Sequence, residues 1–286
     1  MDRLNTETHE DDRANVRLDW PVEEVALVTL SNPATLNTLT DEMVQALDVA
    51  IKEATAARAR VVIITGSGKA FCGGAYVKYF TDPASPYSND PMAIRDVYVR
   101  PIVDLFRSLQ RAPFATIAAI NGFALGGGCE LALACDFRLM SADAKIGLTE
   151  ARLGAVAGAG GIQVLSHILG RARALEVALL ADQWPASDAL RIGLVNAVHG
   201  TDALEDAALA LARRLLLCSP VTVNLTKRGI YRAETASPDE ADQLALDTVA
   251  VAAAGPDWKE GMTAFRERRA PAFAVNGASK GGVGIA

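Results

Sequence analysis

The chain has 286 residues, half of them hydrophobic and 22% charged, with a net charge of −6 and a pI near 5.2. That length and composition suffice for a large core and exclude a chain disordered throughout. No dense Lys/Arg cluster interrupts the acidic total, so nucleic acid is not an expected partner. The opening MDRLNTETHEDDR lacks the apolar segment of a secretory signal, and no uncharged apolar run approaches the ~20 residues of a membrane helix. A cytoplasmic protein without membrane contact is expected. Cys72, Cys129, Cys135 and Cys218 form no CxxC pair and read as small buried hydrophobes in a reducing compartment.

In chain order, the polar residues 1–15 read as a loose N-terminal segment, and 24–30 (EVALVTL) as a strand. Thr40 is placed to cap a helix with Asp41 and Glu42 in its first turn and Met43, Leu47, Ala50 and Ile51 on one face. Residues 60–65 (RVVIIT) are apolar without alternation after the arginine, as in a strand covered on both faces. Residues 81–92, with Pro83, Pro86 and Pro91, form a long loop. A helix over 95–109 leads to a strand over 114–120. From Gly161 onward the reading is helical: 161–169, 171–181, 187–193, 203–216, 221–234, 238–254 and 257–269, with a Gly-rich flexible tail at 274–286. Strands first and helices last give an α/β core over 16–200 followed by a C-terminal helical region over 201–273.

Several familiar chemistries lack material. Gly66-Ser67-Gly68-Lys69 follows a strand like the end of a phosphate-binding loop, but Ile63 stands where its first glycine belongs and Ala70 replaces Ser/Thr. A dinucleotide fingerprint would need glycine at 71 and meets Phe71. The histidines are His9, His167 and His199, too few and too scattered for a Ser-His-Asp triad or a zinc site, and no metal is expected. Carboxylates and backbone groups must do any chemistry.

Two segments supply such groups. Each of GKAFCGGAYVKYF (68–80) and INGFALGGGCELALACD (120–136) sets a glycine cluster where a strand turns towards a helix. The first N–H groups of a helix lack internal partners, and they suit a developing negative oxygen. Glu130 interrupts an otherwise apolar helical run, where desolvation raises a carboxyl pKa towards useful acid–base chemistry. Glu150 closes KIGLTE twenty residues later, ahead of the glycine-rich ARLGAVAGAGG.

These residues carry a resemblance. GKAFCGGAYVK is similar to the enoyl-CoA hydratase (crotonase) family's G-x-A-F-(C/S)-A-G-A-D-(L/I)-K, and INGFALGGGCELALACD to its x-N-G-x-A-x-G-G-G-x-E-L-x-x-x-C-D. ARLGAVAGAGGIQVLSHILG resembles the family's G-x-x-P-G-A-G-G-T-Q-R-L-x-R-x-x-G, SNPATLNTL its N-R-P-x-x-x-N-A-L, and DWKEGMTAFRERRAPAF its closing helix. The likeness runs from about residue 15 to 273 in family order. It implies a crotonase-like spiral of ββα turns with a C-terminal helical region, assembled as a homotrimer or homohexamer. It also implies an acyl-CoA thioester substrate whose oxygen is held by the backbone N–H groups of Ala75 and Gly127. Glu130 and Glu150 fall at the two catalytic glutamate positions, and Ala75, Tyr76, Val77 and Lys78 line the acyl-CoA path with Gly127. No cofactor is implied, coenzyme A being part of the substrate. The chain departs from the pattern at Tyr76 (usually Asp), Asn32 (Arg), Thr35 (often basic), Ala157 (Pro) and Ile162 (Thr). The expected activity is reversible hydration of a 2-enoyl-CoA. Isomerase, dehydratase, lyase and thioester hydrolase are the alternatives on one scaffold, and RNA binding or a silent scaffold role is the contrasting class.

Overall fold

The computed structural model describes residues 15–273. The segment expected over 1–15, apart from Asn15, and the tail expected over 274–286 lie outside the described residues.

A hairpin of β1 (Val16–Val22) and β2 (Val25–Leu30) leads into helix α1 (Asp41–Ala56). Thr40 caps α1, its side chain accepting the Met43 N–H at 3.1 Å, and Met43, Leu47, Ala50 and Ile51 are buried as the spacing requires. The pattern then repeats. β3 (Val61–Gly66) and β4 (Ala70–Cys72) are followed by short helices α2 (Lys78–Thr81) and α3 (Pro91–Ala93) and by α4 (Arg100–Arg111). β5 (Ala115–Ile120) and β6 (Phe123–Leu125) precede α5 (Gly127–Ala134), and β7 (Phe137–Ser141) and β8 (Lys145–Gly147) precede α6 (Gly161–Leu180). After these come β9 (Trp184–Pro185), α7 (Ala186–Arg191) and β10 (Ala197–His199), then α8 (Leu204–Leu216), α9 (Pro220–Ala233), α10 (Pro238–Ala254) and α11 (Pro256–Glu267).

Within each later ββα unit the first strand joins one sheet and the second joins another. The sheets run β1-β2-β3-β5-β7-β10 and β4-β6-β8-β9, so every turn of the chain adds a rung to both. From β2 to β10 the larger sheet is parallel, with Val25–Leu30 opposite Val61–Gly66 and Val61–Ile64 opposite Ala115–Ala118. Alternate side chains of its strands enter two cores. Val28, Val62, Ile64 and Ile120 face the main core with α1, α4 and α5. Val61, Ile63, Ile117 and Ala119 face the other side, where Leu204, Ala208 and Ala212 of α8 cover them. Burial on both faces explains the unbroken apolar runs.

Two helical readings need adjustment. The helix expected over 95–109 begins earlier: Asp90 caps Pro91–Ala93, and a π-helical turn over Ile94–Val99 runs into α4. Pro101 has no N–H to offer the Val97 carbonyl, which favours the wider turn there. The two helices expected over 161–169 and 171–181 meet as one bent α6, broken at Gly170, whose φ of 71° is non-helical. The C-terminal helices follow the sequence reading. Buried Lys227 ties α9 to the sheet, donating to the carbonyls of Leu109 and Phe114 and pairing with Asp136 at 2.8 Å. α10 packs on α9 and α11 and buries none of its residues.

Candidate active site

The glycine-rich turns after β4 and β6 meet. Asn37, fully buried, donates from Nδ2 to the carbonyls of Ser67 and Ala70 and fixes the approach to β4. Beyond β4, Gly74 has φ 94°, and a Cβ there would lie 2.5 Å from the Leu125 carbonyl and 3.2 Å from the Gly127 nitrogen. Only glycine combines that conformation with so close an approach. A Cβ on Gly127 would lie 3.7 Å from the Ala75 nitrogen, so the two amides expected from sequence are neighbours. Gly127 opens α5, where its N–H has no partner within the helix. Gly126, with φ 52°, makes the turn, and a side chain on it would strike Glu150 Oε1 at 2.9 Å.

Glu130 sits in the first turn of α5, 4% exposed. Its Oε1 accepts the N–H groups of Ala159 and Gly161 at 2.9 and 2.8 Å, while Oε2 accepts none among the described residues. The glycine-rich run before α6 therefore serves as a cradle for one carboxylate oxygen. Burial pushes the Glu130 carboxyl up to about 7, the two N–H donors pull it back, and the nearby Glu150 charge adds to the rise. Glu150 opens a 3-10 turn, Glu150–Leu153, and is half-buried; burial raises its carboxyl too. Its Oε2 is enclosed without a hydrogen-bond partner. Next to Glu150 lies an apolar cavity of about 350 Å³ walled by Leu148, Ala157, Ile162 and Ala174. Two raised carboxyls beside two neighbouring amides, that of Gly127 at the start of α5 and that of Ala75 on the facing turn, can orient water, move protons and stabilise an oxyanion.

The chain as a whole has similar known proteins. The enoyl-CoA hydratase/isomerase profile matches residues 22–276. A short-chain-enoyl-CoA hydratase of Clostridium acetobutylicum is 35% identical over 248 residues, covering 86% of this chain and 92% of that protein. A crotonyl-CoA hydratase of Syntrophomonas wolfei is 34% identical over 253 residues, 88% of this chain and 95% of that one. The chain belongs to the enoyl-CoA hydratase/isomerase family. Among solved structures, an enoyl-CoA hydratase from Bacillus anthracis superposes with a TM-score of 0.85 at 32% identity, over 91% of this chain and 99% of that chain. The expected spiral of ββα turns is the fold of this family, and the C-terminal helical region belongs to it.

The remaining family positions are less enclosed. Tyr76 is half-buried with its ring edge-on to Tyr79 at 5.1 Å, and Val77 is exposed. Lys78 is exposed too, its Nζ 6.0 Å from the Tyr76 ring centre. Sequence reading missed the aromatic group beside them. Tyr79, Tyr87 and Tyr98 pack mutually, tilted or edge-on with ring centres 5.1–5.7 Å apart, and the Tyr87 hydroxyl donates to Asp41 at 2.7 Å. The loop over 81–92 is thus pinned from inside; a tyrosine amid prolines and serines was the available signal. One cysteine reading is corrected: Cys72, Cys129 and Cys135 are buried, but Cys218 is exposed because it lies in the turn between α8 and α9. Among the described residues, no three His, Cys, Asp or Glu side chains group as a metal site.

Proposed function

We propose that this chain is an enoyl-CoA hydratase, adding water reversibly to a 2-enoyl-CoA thioester. The observation that carries the reading is the placement of two carboxyls, Glu130 and Glu150, at the start of the helix whose first amide neighbours that of Ala75. In the hydration direction Glu130 Oε2 takes a proton from water as its oxygen bonds to C3. The C2=C3 electron pair moves into the thioester, whose oxygen becomes enolate and accepts from Ala75 and Gly127 N–H. Glu150 then gives a proton to C2 and the carbonyl re-forms. One oxyanion-hole donor is worth roughly 10²–10³ in kcat. The scheme balances without a redox or metal step, so it calls for no cofactor. Tyr76, Val77 and Lys78 would line the thioester path. The apolar cavity beside Glu150 supports an acyl chain as occupant, while exposed Leu246, Val249 and Val251 on α10 support assembly into a trimer or hexamer.

The test is a panel of 2-enoyl-CoA thioesters followed by loss of conjugated-thioester absorbance in ¹⁸O-water. We expect ¹⁸O in a 3-hydroxyacyl-CoA product and no reaction of the matching free acids, whose carboxylate resists enolate formation. Comparable turnover of the free acid would overturn the thioester reading. Double-bond migration without ¹⁸O would make the enzyme an isomerase.

A further inference from the structure

The orientation of the Ala75 amide has a traceable cause. Leu39 and Ala75 form an isolated parallel bridge, outside either sheet. The Leu39 N–H donates to the Gly74 carbonyl at 2.8 Å. In a trans peptide the C=O and N–H point opposite ways, so this bond turns the Ala75 N–H away from Leu39, towards α5. The next peptide would regularly be fixed by Tyr76 N–H donating to the Leu39 carbonyl. A hydroxyl braces that rung: Tyr98 Oη accepts from Tyr76 N–H at 3.3 Å and donates to the Leu39 carbonyl at 2.7 Å. Both peptide planes flanking Ala75 are therefore set, one by a backbone bond and one by Tyr98.

Tyr98 is itself held. It is 3% exposed, with its ring edge-on to Tyr79 and Phe80 at 5.7 and 5.4 Å. Burial raises its phenol, so the hydroxyl keeps the proton it donates. It projects from the π-helical turn Ile94–Val99, a local departure from α-helix of the kind that often sits at functional sites.

We propose that Tyr98 is a positioning residue for the thioester: its hydroxyl splints the Leu39–Ala75 bridge and so aims the Ala75 N–H at the substrate oxygen. This rests on the reading of Ala75 and Gly127 as the two donors to that oxygen. Tyr98→Phe removes the splint and keeps the ring. We expect kcat to fall about ten- to a hundredfold, a fraction of what losing a donor outright costs, with KM changed by less than about threefold. A bound 3-aryl-2-enoyl-CoA reports polarisation of its carbonyl by a red shift in absorbance. Wild type should show this shift, Tyr98→Phe a smaller one at saturation, and the packing control Phe80→Leu the full one. Incorporating 4-aminophenylalanine at position 98 returns a donor and an acceptor and should recover both kcat and shift, a comparison that stands even if the Phe variant folds poorly. A full shift and wild-type kcat in folded Tyr98→Phe, or failure of the amino analogue to exceed Phe, would overturn the splint. No shift in wild type would overturn the donor pair itself, and the splint with it.

Discussion

The turns after β4 and β6 and the helices α10 and α11 are built on opposite plans. Every residue of α5 is buried, the peptide before Ala75 is tied by Leu39, and one oxygen of Glu130 is cradled by two amides. α10 buries nothing, and α11 leaves Phe265 85% exposed. The first region is positioned by hydrogen bonds within one chain, with Glu130 Oε2, Glu150 Oε2 and the two amides left over among the described residues. The second presents apolar surface that water does not suit. Deep anchors near it are Lys227 on α9 and Asp257 on α11, which accepts from buried Ser219 at 2.5 Å. The chain thus assembles its carboxyl–amide cluster within one chain and leaves apolar side chains of its outer helices exposed.

The hardest blow to the self-sufficient half is Gly127→Pro. It deletes the donor N–H, and even a Cβ there meets Leu39 Cδ1 at 2.9 Å. Turnover of an enoyl-CoA should become undetectable while circular dichroism shows a folded chain; wild-type kcat would move the oxyanion site elsewhere. Next come Glu130→Gln and Glu150→Gln, each expected to cost about 10²–10⁴ in kcat. The double variant should cost far less than the product, because groups in one machine are not additive. One silent glutamate would end the two-carboxyl scheme.

Lys227→Met addresses the other half. It strips the ammonium from a buried pair, leaving Asp136 with Thr116 and Tyr231 as remaining donors. Urea unfolding should show a loss of about 3–5 kcal/mol, with kcat per folded molecule unchanged. A drop in that kcat would mean the two regions are coupled.

The smallest effect concerns stability against pH. In the unfolded chain Glu130 titrates near its ordinary 4.5, and in the fold near 7. Between those values the folded chain binds more proton than the unfolded one, so stability falls as pH rises through the window and stays lower above it. At full strength this is on the order of 3 kcal/mol. Glu130→Gln should match wild type in urea unfolding near pH 4 and exceed it progressively up to pH 8. Equal stability at both ends would show that burial does not raise the Glu130 carboxyl.

Residue pattern made some of this legible and hid the rest. The long helices of the C-terminal region and the buried strands could be read because propensity, capping and apolar runs agree over many residues; Ser237, for example, closes a capping box on α10. The three-residue strands β4, β6 and β8 were not read, since Ala70–Cys72 is too short for any period to show. Glu130 stood out as a charge in an apolar helix. Glu150 did not, because its enclosure comes from a turn made by Gly126, 24 residues earlier in the chain. Tyr98 was hidden for a different reason: its role is a hydrogen bond across 59 residues, which no local pattern encodes.

The α8 cover over the larger sheet has a consequence for synthesis. Val61, Ile63, Ile117 and Ala119 present their side chains to Leu204, Ala208 and Ala212. Arg60, at the mouth of β3, finds its carbonyl partners at Leu216 and Cys218, more than 150 residues downstream. A ribosome adding about 5–20 residues each second needs roughly 8–30 s to travel that far. Throughout that interval a half-made chain carries a bare, strand-rich apolar face, ready to pair with its neighbours on a polysome. Yield in a cell should therefore depend on how well nascent chains are shielded during those seconds, even though the finished fold is well covered on that side.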